Sequence, residues 1–169
     1  KGAFLGLVRA QYVYKQTVGK DHAGKAGSDL FLSGAKSFWR TPEQSQAIAD
    51  SEGYGSVWSK RGSSVNSFHT PGGKYPGTGM DIKNHGLGRN SPQAKFLDTY
   101  GSLFNIAYLK SKYPKGHKKA GQEELHHYGW IDKSDKARWD KYFSMPIPGG
   151  ASGGASGGAA RATVRAYPQ

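Results

Sequence analysis

The stretch SPQAKFLDTYGSLFNIAYLKSKYP, residues 91–114, carries the clearest pattern in the chain. Ser91 followed by Pro92 is a helix start, a hydroxyl at the N-cap and a proline at the first helical position, where its missing N–H costs nothing. Phe96, Tyr100, Leu103, Phe104, Ala107 and Tyr108 recur at three and four residues, and Leu97 and Leu109 widen the same face. Read with a helical period, the stretch predicts one long amphipathic helix closed by Pro114. A core would then gather around Phe96, Tyr100, Leu103, Phe104 and Ala107.

Upstream, Thr41-Pro42-Glu43-Gln44 predicts a capping box, with a helix running through Ala47 and Ile48 to Gly53. Residues 4–18 read as a helix with Leu5, Val8 and Tyr12 at helical spacing and Phe4 alongside. Asp29 is placed to cap a short helix holding Leu30, Phe31, Phe38 and Trp39. Downstream, Gln122 to Tyr128 reads as a short helix closed by Gly129. Ser134 is expected to cap a last one carrying Ala137, Trp139, Tyr142 and Phe143. Residues 53–90 offer one turn after another, as at Pro71-Gly72-Gly73 and Gly86-Leu87-Gly88. A segment of that length without regular structure is usually functional.

The expected fold is therefore mainly α: a small irregular domain of about four to six short helices with little or no β-sheet. Residues 1–148 form that domain around the turn-rich insertion 53–90. Residues 149–169 are a Gly/Ala/Ser-rich linker and extended docking tail.

Charge is the other strong feature. The chain has 169 residues, with 24 Lys and Arg against 12 Asp and Glu, a formal net charge of +12. Residues 1–40 contribute seven bases and two acids, and residues 71–119 nine and two. Such a surface attracts polyanions, whether nucleic acid, acidic protein or anionic lipid. No run of about 18 apolar residues exists, so no spanning helix is expected. The absence of cysteine rules out disulfides and thiolate metal sites, and fits an intracellular or organellar location.

Phosphate or carboxylate contact needs flexible cations, and Lys110, Lys112, Lys115, His117, Lys118 and Lys119 cluster around Tyr113. Lys74, Lys83 and Arg89 belong to the same zone, and Arg161, Arg165 and Tyr167 give the tail the look of an interface peptide. These features point to a basic, non-enzymatic subunit of a larger assembly that meets acidic partner surfaces. An RNA-binding protein, such as a ribosome-associated subunit, is the alternative. The six histidines read as surface or interfacial residues. On a helix His126 and His127 would point about 100° apart, so neither a metal nor any other cofactor is expected.

Residues 47–55, AIADSEGYG, resemble the helix end and turn of bacterial glucosaminidase domains, in which Glu-Ser-Gly-[Trp/Tyr]-Gly carries the general acid. Asn66-x-Phe68 is similar to their following turn, and Ala94-x-Phe96 and Gly129-Trp130 match later positions. The resemblance spans about residues 43–145 and implies a peptidoglycan hydrolase using Glu52. The order here is Ser51-Glu52, which displaces the carboxylate by about 100° on a helix, and no second catalytic residue is assigned.

Overall fold

The stretch 91–114 does not form one helix. In the computed structural model, which describes residues 1–34, 36–53, 55–57, 67–71 and 77–143, it breaks into three parts. A helix runs over Pro92–Tyr100, a 3-10 turn over Gly101–Phe104, and a strand over Ile106–Tyr108. Two residues enforce the break. A Cβ on Gly101 would lie 2.2 Å from the Ile106 carbonyl oxygen, so the chain folds back against a position that tolerates no side chain. Asn105 takes φ +62° in the left-handed region, a conformation Asn accepts more readily than most residues. The Ser91 cap is as expected, its hydroxyl accepting from the Ala94 amide at 3.1 Å. Phe96 and Ala107 are buried, but Tyr100 and Leu103 are 45% and 48% exposed, because the helix that would have turned them inward has ended.

The expectation of little or no sheet is thus wrong. We number the described elements α1 (Gly2–Gln16), α2 (Val18–Asp21), α3 (Pro42–Glu52), β1 (Gly79–Asp81), α4 (Pro92–Tyr100), β2 (Ile106–Tyr108), β3 (His127–Trp130) and α5 (Lys136–Tyr142). The three strands form an antiparallel sheet in the order β1-β3-β2. Residues 122–128, expected as a helix, instead lead into the central strand. His127 pairs with Asp81, Tyr128 with Met80 and Tyr108, and Gly129 with Gly79 and Ala107.

Period-two alternation gives the sheet two different faces. Met80, Ile106 and Tyr128 join Leu7, Ala10 and Tyr14 of α1 and Phe96 and Leu97 of α4 in the main core. Ala107 and Leu109 pack on the other side with Ile131 and Trp139 of α5. Asp81 and His127 alternate with main-core residues and so share this second side.

The first helix forms, but it buries Gly6, Leu7, Ala10 and Tyr14, leaving Leu5, Val8 and Tyr12 outside. Close approach decides the face. A Cβ on Gly6 would lie 2.6 Å from the Phe104 carbonyl oxygen, so the small residue must sit at the contact. Residues 29–39 form no helix among those described: Leu32 bridges to Ile82 and the Ser33 amide donates to the Asp81 carbonyl at 2.8 Å. The α3 capping box is complete, and Gly53 closes the helix in the left-handed conformation. Asp135, not Ser134, caps α5, because Ser134 is drawn to the Asp132 carboxylate at 2.6 Å.

Replacing Gly101 by Ala is expected to cost about 2–3 kcal/mol by overpacking the reversal. Thr41→Ala, which removes only a cap, is expected to cost about 1 kcal/mol. Urea midpoints at constant m-value measure both. Equal midpoints for the two variants would show that Gly101 does not set the break.

Candidate metal centre

Backbone pairing brings together residues distant in sequence. Asp81 ends β1 and sits opposite His127 at the start of β3. The Gly79 amide donates to the Phe68 carbonyl at 2.7 Å, and the Arg40 amide donates to the His69 carbonyl at 3.0 Å. The 67–71 segment is thereby held beside β1, and α3 anchors it further through Ser45 Oγ and Thr70 Oγ1, 2.7 Å apart and buried. His69 and His127 stack with ring centroids 5.0 Å apart, and Phe68 meets the His127 ring edge-on.

His69, Asp81 and His127 each offer a ligand atom, and these atoms lie within 4.8 Å of one another. His69 Nε2 stands 3.5 Å from Asp81 Oδ1. Two ligands about 2.0–2.1 Å from a tetrahedral zinc lie roughly 3.4 Å apart, so this pair has almost the spacing required. His69 Nδ1 is 3.1 Å from the Phe38 carbonyl. A carbonyl can only accept, so Nδ1 carries a proton, and Nε2 is the nitrogen that faces Asp81 and that a metal ion would take in place of a proton. His127 Nδ1 is 2.6 Å from Ser111 Oγ and 3.1 Å from Glu124 Oε2. Its Nε2 is buried with no hydrogen-bond partner among the described residues, in a side chain 6% exposed. A carboxylate behind a ligating histidine is the usual support of a metal-bound imidazole.

Asp81 is held from both sides, with Arg40 Nη2 at 3.0 Å from Oδ2, and His69 and, at 3.8 Å, His126 near Oδ1. Burial alone would raise its pKa. The His69 hydrogen bond and the charges of His69, His127 and His126 outweigh burial and hold the carboxyl below its ordinary value. Glu124 follows the same balance. Burial pushes it up, and hydrogen bonds from His127 and Ser111 pull it below the usual glutamate range.

A local irregularity places both adjacent histidines on the cavity. Tyr108 pairs with Tyr128 and Lys112 bridges Glu123, so the three residues 109–111 face the four residues 124–127. One extra residue on one side is a bulge, which re-aims side chains that a regular strand would send to opposite faces. His126 and His127 both line a cavity of about 690 Å³.

The residues singled out from the sequence divide around this cavity. Lys110, Lys112, Tyr113, His117, Lys118 and Lys119 line it. Lys83 and Lys115 are exposed elsewhere. Arg89 is committed internally, 3.8 Å above the Tyr108 ring, donating to the Tyr128 hydroxyl at 2.5 Å and paired with Asp98. Glu52 also lines the cavity, where its carboxylate meets His117 Nε2 at 3.3 Å. The His117 ring lies flat on Tyr113, 4.3 Å between centroids. Lys74, Arg161, Arg165, Tyr167 and the whole 149–169 tail lie outside the described residues. His69, His117 and His127 are buried, not surface histidines. The sequence reading assigns none of His69, His127, Asp81, Arg40, Ser111 and Glu124 to a site. Glu124-x-x-His127 was the available signal, hidden because residues 122–128 read as a helix that scatters its histidines.

Family models, curated proteins and solved structures give no match to the chain. No described helix is long and apolar enough to cross a membrane.

One zinc per chain is expected after incubation and desalting, measured by mass spectrometry of the metal. His69→Ala, Asp81→Ala and His127→Ala should each abolish stoichiometric binding, and Ser111→Ala should weaken it about 10-fold. Zinc at a hundred times its Kd should stabilise the wild type by about 2.7 kcal/mol. Wild-type metal content in all three ligand variants would refute the site.

Proposed function

We propose that this chain is a metal-dependent amide hydrolase with His69, Asp81 and His127 as metal ligands. The observation that carries the reading is the buried, unpartnered Nε2 of His127 beside a second imidazole and an ionised carboxylate. An unpaired buried nitrogen is costly in a folded protein, and a metal ion is the partner that would relieve it. Two histidines and one carboxylate are the donor set of catalytic zinc in peptide-cleaving enzymes, which leaves a coordination position open.

A zinc ion there would supply an acidified water and a Lewis acid for the substrate carbonyl. The chain's own groups divide the remaining work. Glu124 is ionised, and its hydrogen bonds to Ser111 and His127 both use Oε2. Oε1 is then the base that takes a proton from the attacking water. In the net step the hydroxyl goes to the carbonyl carbon, the carbon–nitrogen bond breaks, and the proton passes to the departing amine. Tyr113 stays protonated: burial raises its hydroxyl first, and the carboxylates of Glu124, Glu52 and Asp81 add to this. It serves as a neutral donor toward the developing oxyanion. Arg40 positions Asp81 from behind.

The readings as a basic subunit of an assembly or an RNA-binding protein draw on the basic cluster around Tyr113 and the tail, and use neither His69 nor His127. The glucosaminidase-like reading turns on Glu52, which here braces His117.

Zinc-loaded protein should cleave a mixed peptide substrate. Glu124→Gln should lower kcat about 100- to 10,000-fold while zinc stays bound. Glu52→Gln should change kcat less than about 3-fold. Loss of peptide cleavage in Glu52→Gln alone, or cleavage of peptidoglycan glycan strands that depends on Glu52, would overturn the assignment.

A further inference from the structure

Part of the cavity wall is built from the 110–119 segment, and its charge is unbalanced. Arg40, Lys110, Lys112, Lys118, Lys119 and Lys141 line the cavity against three carboxylates, Glu52, Asp81 and Glu124. Each of the three carboxylates has an inward-facing partner: Asp81 has Arg40 and His69, Glu52 has His117, and Glu124 has Ser111 and His127. Among the described residues no ion pair engages Lys110, Lys112, Lys118 or Lys119. Lys119 lies over the Tyr113 ring at 5.7 Å, a contact that leaves its charge available. Four ammonium groups thus stand on one wall with no carboxylate assigned to them, and a bound dication would add to the excess.

The wall is also held in place. His117 is stacked on Tyr113, accepts the Lys119 amide on Nδ1 at 3.0 Å, and reaches Glu52 at the end of α3. The Tyr113 amide donates to the Gln122 carbonyl at 2.9 Å, and the Gly121 amide to the Tyr113 carbonyl at 3.0 Å. The lysine stems therefore leave a braced loop, not a free end, and their exposed side chains line the cavity.

We infer that Lys110, Lys112, Lys118 and Lys119 select an acidic peptide, placing side-chain carboxylates against this wall while the scissile amide reaches the metal ligands. The inference rests on the hydrolase reading for the position of the amide, but the lysine wall itself does not need the metal. An open cavity of this volume suits a few residues of a peptide, and the Phe68, Tyr113 and Tyr142 rings that line it are engaged with His127, His117 and Lys141, which differs from the row of stacking faces a single-stranded nucleic acid uses.

The test measures binding by fluorescence anisotropy with three labelled probes, hexaglutamate, hexaglutamine and a uridine hexanucleotide, with and without zinc. Hexaglutamate should bind at least about 10-fold more tightly than hexaglutamine, and the difference should shrink as salt rises. The double variant Lys112→Glu, Lys118→Glu should remove the preference, and Lys20→Ala, on the exposed surface of α2, should keep it. All three positions, Lys112, Lys118 and Lys20, are solvent-facing, so folding is checked by an unchanged urea midpoint. Equal binding of the two peptides, or tighter binding of the nucleotide than of hexaglutamate, would overturn the inference. Zinc content and peptide cleavage, read on the same samples, report on the hydrolase reading separately: a hexaglutamate preference without zinc binding would sink that reading and leave the lysine wall standing.

Discussion

Asp81 and His127 face each other across one rung of the β1–β3 ladder, and the site follows from that register. In a strand the side chains alternate, so a slip of one residue would send Met80 and Tyr128 toward the cavity and both ligands into the core. The slip is opposed by the core itself. Met80 is fully buried and Tyr128 is 2% exposed, both packed with Tyr14, Phe96 and Leu97. Arg89 adds a pin on the same side through its bond to the Tyr128 hydroxyl. Hydrophobic packing on one face thus fixes the chemistry on the other.

The polar face is the more demanding half of this arrangement. Buried polar groups cost free energy unless each finds a partner. Asp81 is over-supplied with donors, and Glu124 has two. His127 alone keeps a nitrogen without one. On the metal proposal, a bound cation would take up that nitrogen. The bulge opposite residues 109–111 serves the same end, since it turns His126 and His127 toward one cavity at the expense of ladder hydrogen bonds.

Local signals were legible in the sequence where the physics is local. The Thr41–Gln44 capping box, the Gly53 stop, the Ser91-Pro92 start and the first helix all form. What failed was the choice between periods. The apolar residues from Phe96 to Leu109 satisfy a helical repeat, yet Ile106, Tyr108 and the buried Ala107 also satisfy a short strand. Only the close approach at Gly101 separates the two, and that contact is tertiary. The same ambiguity concealed the site: read as a helix, residues 122–128 scatter their histidines, whereas read as a strand they bring His127 to Asp81. Asp81 itself carries no signal, because a single aspartate after a glycine-rich stretch has no partner until the sheet supplies one. His69 and Asp81 of the candidate site both come from the long 53–90 segment.

The net charge then takes on a more specific meaning. Of the nine bases between residues 71 and 119, Arg89 is spent inside the fold, and Lys83 and Lys115 face solvent away from the cavity. Four of the remainder stand on its wall. Such charges gain little on an open surface, where solvent screens them, but they count for more across a recess whose far side is low in dielectric and lined by the sheet. The carboxylates within the recess do not cancel them, because each is already bonded to an inward group. The Glu52–His117 contact is the clearest case: it neutralises one acid, stacks the imidazole on Tyr113, and ties the lysine-bearing loop to the capped end of α3. The residue whose surroundings most resembled an enzyme's acid in sequence therefore contributes by holding the wall, and the histidines that looked like surface groups occupy the centre.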